Sequence, residues 1–106
     1  MIYTVTVNPA LDYVMILKEM EIGQLNRSFR ELHYYGGKGI NISVVLNNLK
    51  IPSVCLGFVA GYVGKEIERG LNSRGCMTDF IHLEQGCTRI NVKLKEGGGR
   101  ETEING

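Results

Sequence analysis

The apolar residues of this chain follow two rhythms. Ile2 to Val7 is a β-rich run, and the turn pair Asn8-Pro9 ends it. Tyr13 to Leu17 is apolar on both faces of a strand, so it needs cover on both sides. Residues 21–27 read as a loop. Phe29 to Tyr35 alternates, with Phe29, Glu31, His33 and Tyr35 on one face and Arg30, Leu32 and Tyr34 on the other. The period then changes. Ile42, Val45, Leu46 and Leu49 fall at i, i+3, i+4 and i+7, which predicts a helix with one apolar stripe. Ile51-Pro52 marks its end. Val54 to Val59 is a short continuous apolar run, as in a parallel strand buried on both faces, with Cys55 and Gly57 small enough to admit a close helix. Val63, Ile67 and Leu71 recur every four residues, with Lys65, Glu66, Glu68 and Arg69 on the outer side and Gly75 as the stop. Asp79 to Leu83 is the next strand. Strand–helix–strand–helix–strand argues a right-handed parallel α/β unit. Arg89 to Leu94 alternates again, Gly97-Gly98-Gly99 turns the chain, and residues 100–105 return. Such a half-polar hairpin is a poor core element and a good cover for a site.

The richest stretch is Tyr35-Gly36-Gly37-Lys38-Gly39-Ile40-Asn41-Ile42-Ser43. Three glycines surround a lysine and a helix follows at once. Glycine lets a backbone pass close to a ligand, and a helix start presents unpaired N–H groups with partial positive charge. Lys38 adds a full charge. One reading is a seat for an anionic or hydroxyl-rich small molecule; the other is a tight strand-to-helix connection. Two familiar phosphate loops do not fit. The Walker pattern needs Ser or Thr after the lysine, where Gly39 stands, and Gly five places before it, where His33 stands. The dinucleotide pattern, started at Gly37, ends on Ile42 in place of glycine.

Composition narrows the classes. A chain of 106 residues suits one small domain, and 43% hydrophobic with 22% charged residues is ordinary for a soluble protein. A net charge of +1 gives no sign of a nucleic-acid or membrane partner. Cys55, Cys76 and Cys87 are odd in number and lack C-x-x-C spacing; without a signal peptide this suggests reduced thiols in the cytoplasm. His33 and His82 have no partners at metal-ligand spacing and read as strand-surface residues. Asp12 follows the first strand, where α/β folds bind ligands, or is a solvated turn residue. Arg89 has the planar fork that matches a phosphate, or pairs with Glu101 or Glu103 on the surface. Arg27 and Asn91 are further candidates.

Gly36 to Ser43 resembles the first signature of the ribokinase-like (PfkB) family of sugar kinases: a glycine pair, a third glycine, then Asn and a small residue. The family pattern has Gly or Ser where Lys50 stands and Gly where Ala60 stands, with Gly57 and Gly61 close by. Thr4 to Asp12 resembles the family's opening strand and sugar-binding Asp, and Thr88 to Lys93 with Glu101 to Gly106 resembles the lid hairpin of its sugar-phosphate branch. The resemblance implies an α/β fold, the amino-terminal part of a ribokinase-like domain. The α/β core would span about residues 1–8 and 39–84, and the lid strands about 12–18, 29–35, 88–95 and 100–105. It implies that Asp12, Gly37 and Asn41 hold a sugar while Lys38 and Arg89 hold its phosphate. The implied reaction is ATP- and Mg2+-dependent phosphorylation of a ketose phosphate, foremost fructose 1-phosphate. Tagatose 6-phosphate and fructose 6-phosphate are the alternatives, with a non-catalytic sugar-phosphate-binding or dimerisation module outside enzymes. The resemblance covers only the amino-terminal part of a family member, so the chain is expected to be a fragment without the catalytic Asp, inactive alone. A homodimer through lid strands or an exposed sheet edge is expected.

Overall fold

The computed structural model describes residues 1–106. Its elements are β1 (Ile2–Thr6), β2 (Ala10–Leu17), β3 (Arg30–Gly36), α1 (Lys38–Asn48), β4 (Ser53–Ala60), α2 (Gly61–Ser73), β5 (Met77–Leu83), β6 (Arg89–Glu96) and β7 (Glu101–Asn105). They form two sheets. The first is parallel, in the order β1-β4-β5. The second has the order β3-β2-β6-β7: β2 runs antiparallel to β3 and parallel to β6, and β6 and β7 form a hairpin. The chain crosses between the sheets at residues 7–9, at Gly37 and at residues 84–88.

Both helices cover the same face of the parallel sheet. The core joins Ile40 of α1 and Val63, Ile67 and Leu71 of α2 to Cys55, Val59 and Phe80, with Tyr35 closing it from the second sheet. The three α2 residues are at most 1% exposed, so their four-residue spacing marks the buried stripe. On the opposite face Tyr3, Val5, Val7, Phe58, Met77, Ile81 and Leu83 stand exposed.

The stripe on α1 points the other way. Ile42, Val45 and Leu49 are more than half exposed, while the face against the sheet is Gly39, Ile40 and Ser43. A small face lets this helix lie close to β1. There Thr4 and Thr6 point inward: Thr4 Oγ1 and Ser43 Oγ are 2.6 Å apart, and Ser53 Oγ donates to Ser43 Oγ at 3.0 Å. These buried hydroxyls satisfy one another, which makes their burial tolerable. Close approach of α2 is likewise made by helix glycines. A Cβ on Gly64 would lie 2.8 Å from Val59 Cβ, and one on Gly70 would enter the Tyr35 ring. The strand glycine, Gly57, is closed instead by the Thr6 carbonyl of its neighbour β1.

Each helix ends in a Schellman motif. For α2 the turn residue is Gly75 (φ 89°), with Gly75 N–H donating to Asn72 O and Cys76 N–H to Leu71 O, both at 3.0 Å. For α1 it is Lys50 (φ 61°), with Lys50 N–H donating to Asn47 O at 3.0 Å and Ile51 N–H to Leu46 O at 2.8 Å. Lys50 is the one non-glycine residue at positive φ. At Ala60, the other family-glycine position, the backbone is extended (φ −150°), and Gly61 beside it takes the left-handed conformation (φ 63°).

Candidate functional site

The glycine stretch forms the junction from β3 to α1. Gly36 closes β3 opposite Ala10, and a Cβ there would lie 2.6 Å from Asp12 Oδ2. Gly37 is the N-cap of α1 at φ 133°, and a Cβ on it would strike Thr6 Cγ2. A Cβ on Gly39 would lie 2.6 Å from both Thr6 Oγ1 and the Val5 carbonyl oxygen. The space each glycine leaves is therefore filled by Asp12 and by β1. The helix has no capping side chain at its own N-cap; Thr6 Oγ1 accepts from Ile40 N–H at 3.0 Å instead. Ile40 is the third helical residue, the one an N-cap Ser or Thr would engage. Lys38 stands exposed at the first helical position.

A second group lies on one face of the four-stranded sheet. Asp12 sits inside β2 and is half-buried; it is not on the turn after β1, because pairing with β3 and β6 starts at Ala10. Asp12 is opposite Asn91, whose Nδ2 donates to Asp12 Oδ1 at 3.0 Å. Asn91 Oδ1 accepts from Gly106 N–H at 3.2 Å, so the amide is held at both ends. Arg89 shares that face two residues away, beside Ala10. Its guanidinium reaches the Asn8 carbonyl oxygen at 3.5 Å, and its buried Nε has no partner. Glu101 and Glu103 lie instead 3.7 Å from Lys95 and 3.8 Å from Lys93. Asp12, Asn91 and Arg89 thus lie at the end of the sheet where the chain crosses to the core, beside Gly36.

The other two candidates lie apart. Asn41 is exposed on the outward side of α1, in a shallow groove with Ile42, Val45 and Leu46. Arg27 is in the loop at the far end of β2 and β3, beside Met15 and Glu31. Met15 is three residues from Asp12, about 10 Å at the usual strand rise. Next to the Asp12 group opens a cavity of about 330 Å³ lined by Asn8, Phe58, Ala60, Leu83, Cys87 and Thr88. It lies at the carboxyl ends of the parallel strands, where open α/β sheets take ligands.

Two residues important to this geometry escape the sequence reading. Thr6 braces the glycine junction, and only a buried alternation of threonines in a valine-rich strand hints at it. Tyr35 precedes the junction and packs on Gly70 of α2; its hydroxyl donates to Glu66 at 3.3 Å and Arg74 lies 5.0 Å over its ring. Burial, and then the Glu66 carboxylate, push the Tyr35 phenol above its ordinary pKa. Glu66 is held below the usual carboxylate range by its hydrogen bond from Arg69.

Comparison with known proteins places this geometry in context. Residues 6–106 match the model of the pfkB family carbohydrate kinases. The 1-phosphofructokinase of Borreliella burgdorferi is 49% identical over 105 residues, 99% of this chain and 34% of that protein. The D-tagatose-1-phosphate kinase of Bacillus licheniformis is 39% identical over 92 residues, 87% of this chain and 30% of its own. A crystal structure from Staphylococcus aureus, described as a candidate phosphofructokinase, superposes with a TM-score of 0.91 at 48% identity, covering 100% of this chain and 34% of that one. The chain thus spans about a third of the length of the relatives it matches. The α/β architecture and the family match over residues 6–106 agree, and the chain belongs to the pfkB family of carbohydrate kinases.

Proposed function

We propose that this chain is the sugar-phosphate-binding part of a kinase that phosphorylates a ketose phosphate, foremost fructose 1-phosphate to fructose 1,6-bisphosphate. One observation carries the reading. A carboxylate (Asp12), the amide that holds it (Asn91) and a half-buried guanidinium with an unpartnered Nε (Arg89) share one sheet face beside the glycine junction. Asp12 accepts hydrogen bonds from sugar hydroxyls, and Asn91 fixes the orientation of its carboxylate. Arg89 and Lys38 neutralise the sugar's phosphate, with the amides at Gly37 and Gly39 beside them. The 1-phosphofructokinase and the D-tagatose-1-phosphate kinase among its relatives are both named for ketose 1-phosphate chemistry, which favours a 1-phosphate over a 6-phosphate. ATP supplies the transferred phosphoryl group. No group of three or more His, Cys, Asp or Glu here is placed to hold a metal ion. The general base and nucleotide site belong to the part of the protein that the longer relatives carry. Positioning and charge neutralisation are what this chain contributes, and phosphoryl transfer depends mostly on these.

Calorimetry tests the reading. Fructose 1-phosphate binds the full-length protein, and Asp12→Ala weakens it by about 10- to 150-fold, the effect of losing one charged hydrogen bond of 1.5–3 kcal/mol. Unchanged affinity in Asp12→Ala refutes it. The 106-residue chain alone shows no ATP-dependent turnover; turnover requiring fructose 1-phosphate would show that the chain holds its own base. The open strand edges support pairing of two copies through the second sheet or along β1, and sedimentation as a monomer at micromolar concentration would contradict that.

A further inference from the structure

We propose that Thr6 is the positioning residue of the glycine junction: it caps α1 from behind and keeps the ligand side of the helix start open. The inference rests on the sugar-phosphate reading above and deepens it.

Thr6 is 8% exposed and stands on β1, beneath Gly37 and Gly39. Its Oγ1 accepts from Ile40 N–H at 3.0 Å, and its methyl occupies the place of a Gly37 side chain. The first N–H groups of any helix have no partner inside it. The usual solution is a Ser, Thr or Asp at the N-cap, whose side chain folds over the helix end. Such a side chain would stand between the first-turn amides and an incoming anion. Here the N-cap is Gly37, and no side chain engages the N–H groups of Lys38 or Gly39. The capping oxygen arrives instead from the neighbouring strand, on the core side. Gly37 and Gly39 are therefore glycine for one shared reason: a side chain on either would displace Thr6. Val5 contributes by placing its carbonyl oxygen 2.6 Å from where a Gly39 Cβ would be.

One turn further along α1, Thr4 makes a similar contact with Ser43, so β1 touches the helix twice. That second contact supplies the control. Thr6 sets the junction; Thr4 only holds the helix body. In the full-length protein, Thr6→Val keeps shape and removes the acceptor, Thr6→Ser keeps the acceptor, and Thr4→Val removes the other hydroxyl.

The experiment measures KM for fructose 1-phosphate and for ATP, kcat, and amide exchange at Ile40 in all three variants. Thr6→Val is expected to raise the fructose 1-phosphate KM about tenfold, with the ATP KM unchanged and Ile40 exchange accelerated. Thr6→Ser stays within about twofold of wild type, and Thr4→Val does so while losing stability. The assignment is overturned if Thr6→Val leaves the sugar-phosphate KM unchanged, if both KM values rise together, or if Thr4→Val raises it as much. If Thr6→Val does not fold, the other two variants decide: a tenfold higher KM or faster Ile40 exchange in Thr6→Ser refutes the assignment, as does the same KM change in Thr4→Val. Wild-type turnover with fructose 1-phosphate tests the functional reading separately. Its absence would sink that reading, and Ile40 exchange would still decide whether Thr6 sets the junction.

Discussion

Replacing Lys50 by glycine should stabilise the protein. Lys50 sits at the turn position of the α1 Schellman motif with φ 61°. A left-handed conformation costs a residue with a Cβ about 1–2 kcal/mol, because the Cβ crowds the following carbonyl. Glycine escapes that cost but gives back roughly 0.5–1 kcal/mol through the greater freedom of its unfolded backbone. The net gain is between about 0 and 1.5 kcal/mol. Little else changes, since Lys50 is exposed and enters none of the chain's ion pairs. The α2 motif supplies the reciprocal experiment. A Cβ on Gly75 would meet only Asn47 side-chain atoms, at 3.6 and 3.7 Å, which is ordinary contact. Gly75→Ala should therefore lose about the amount Lys50→Gly gains, from backbone strain alone. Urea unfolding of wild type, Lys50→Gly, Lys50→Ala and Gly75→Ala measures this, with thermal midpoints moving about 4–8 °C per kcal/mol in a domain of this size. Lys50→Ala should be close to neutral. A gain in Lys50→Ala equal to that in Lys50→Gly would show that the side chain, and not the turn, was responsible. A loss in Lys50→Gly would refute the strain argument outright.

Three further outcomes follow from the site and its supports. Arg89→Gln should weaken fructose 1-phosphate binding about tenfold or more while leaving binding of unphosphorylated fructose nearly unchanged; equal losses for both in calorimetry would remove Arg89 from the phosphate. Gly70→Ala should destabilise by about 1–3 kcal/mol, because its Cβ would enter the Tyr35 ring; a neutral result in urea unfolding would mean that the ring can move aside. Burial, and then Cys55, raise the Cys76 thiol above its ordinary pKa, so folding favours the neutral thiol. That stability is complete below the thiol's ordinary value and is lost as pH rises through the raised one. Cys76→Ala should flatten the alkaline fall in unfolding midpoint, and an unaltered profile would point to other groups.

Much of the fold is legible in the sequence, because period and burial agree where a helix has one large apolar face. Val63, Ile67 and Leu71 mark the buried side of α2 directly. In α1 the same reasoning finds the helix and misorients it. Its contact face is built from Gly39, Ile40 and Ser43, too small to dominate a hydrophobic pattern, while the larger Ile42, Val45 and Leu49 face out. The strand start at Ala10 is hidden for a different reason. Pairing partners well downstream in the chain, Gly36 and Arg89, decide that Asp12 belongs to a strand, and no local pattern contains them. The glycine junction is obvious as a motif, yet its cause lies more than thirty residues earlier, in Thr6.

The bare face of the parallel sheet has a practical corollary. Seven exposed apolar side chains, from Tyr3 on one edge strand to Leu83 on the other, form a wall with no roof. Where nothing else covers it, a surface of that kind takes up hydrophobic dyes, adheres to chaperones and grows stickier on warming. Anyone transplanting this unit into a designed protein would have to supply the roof with it, or replace the wall with charge.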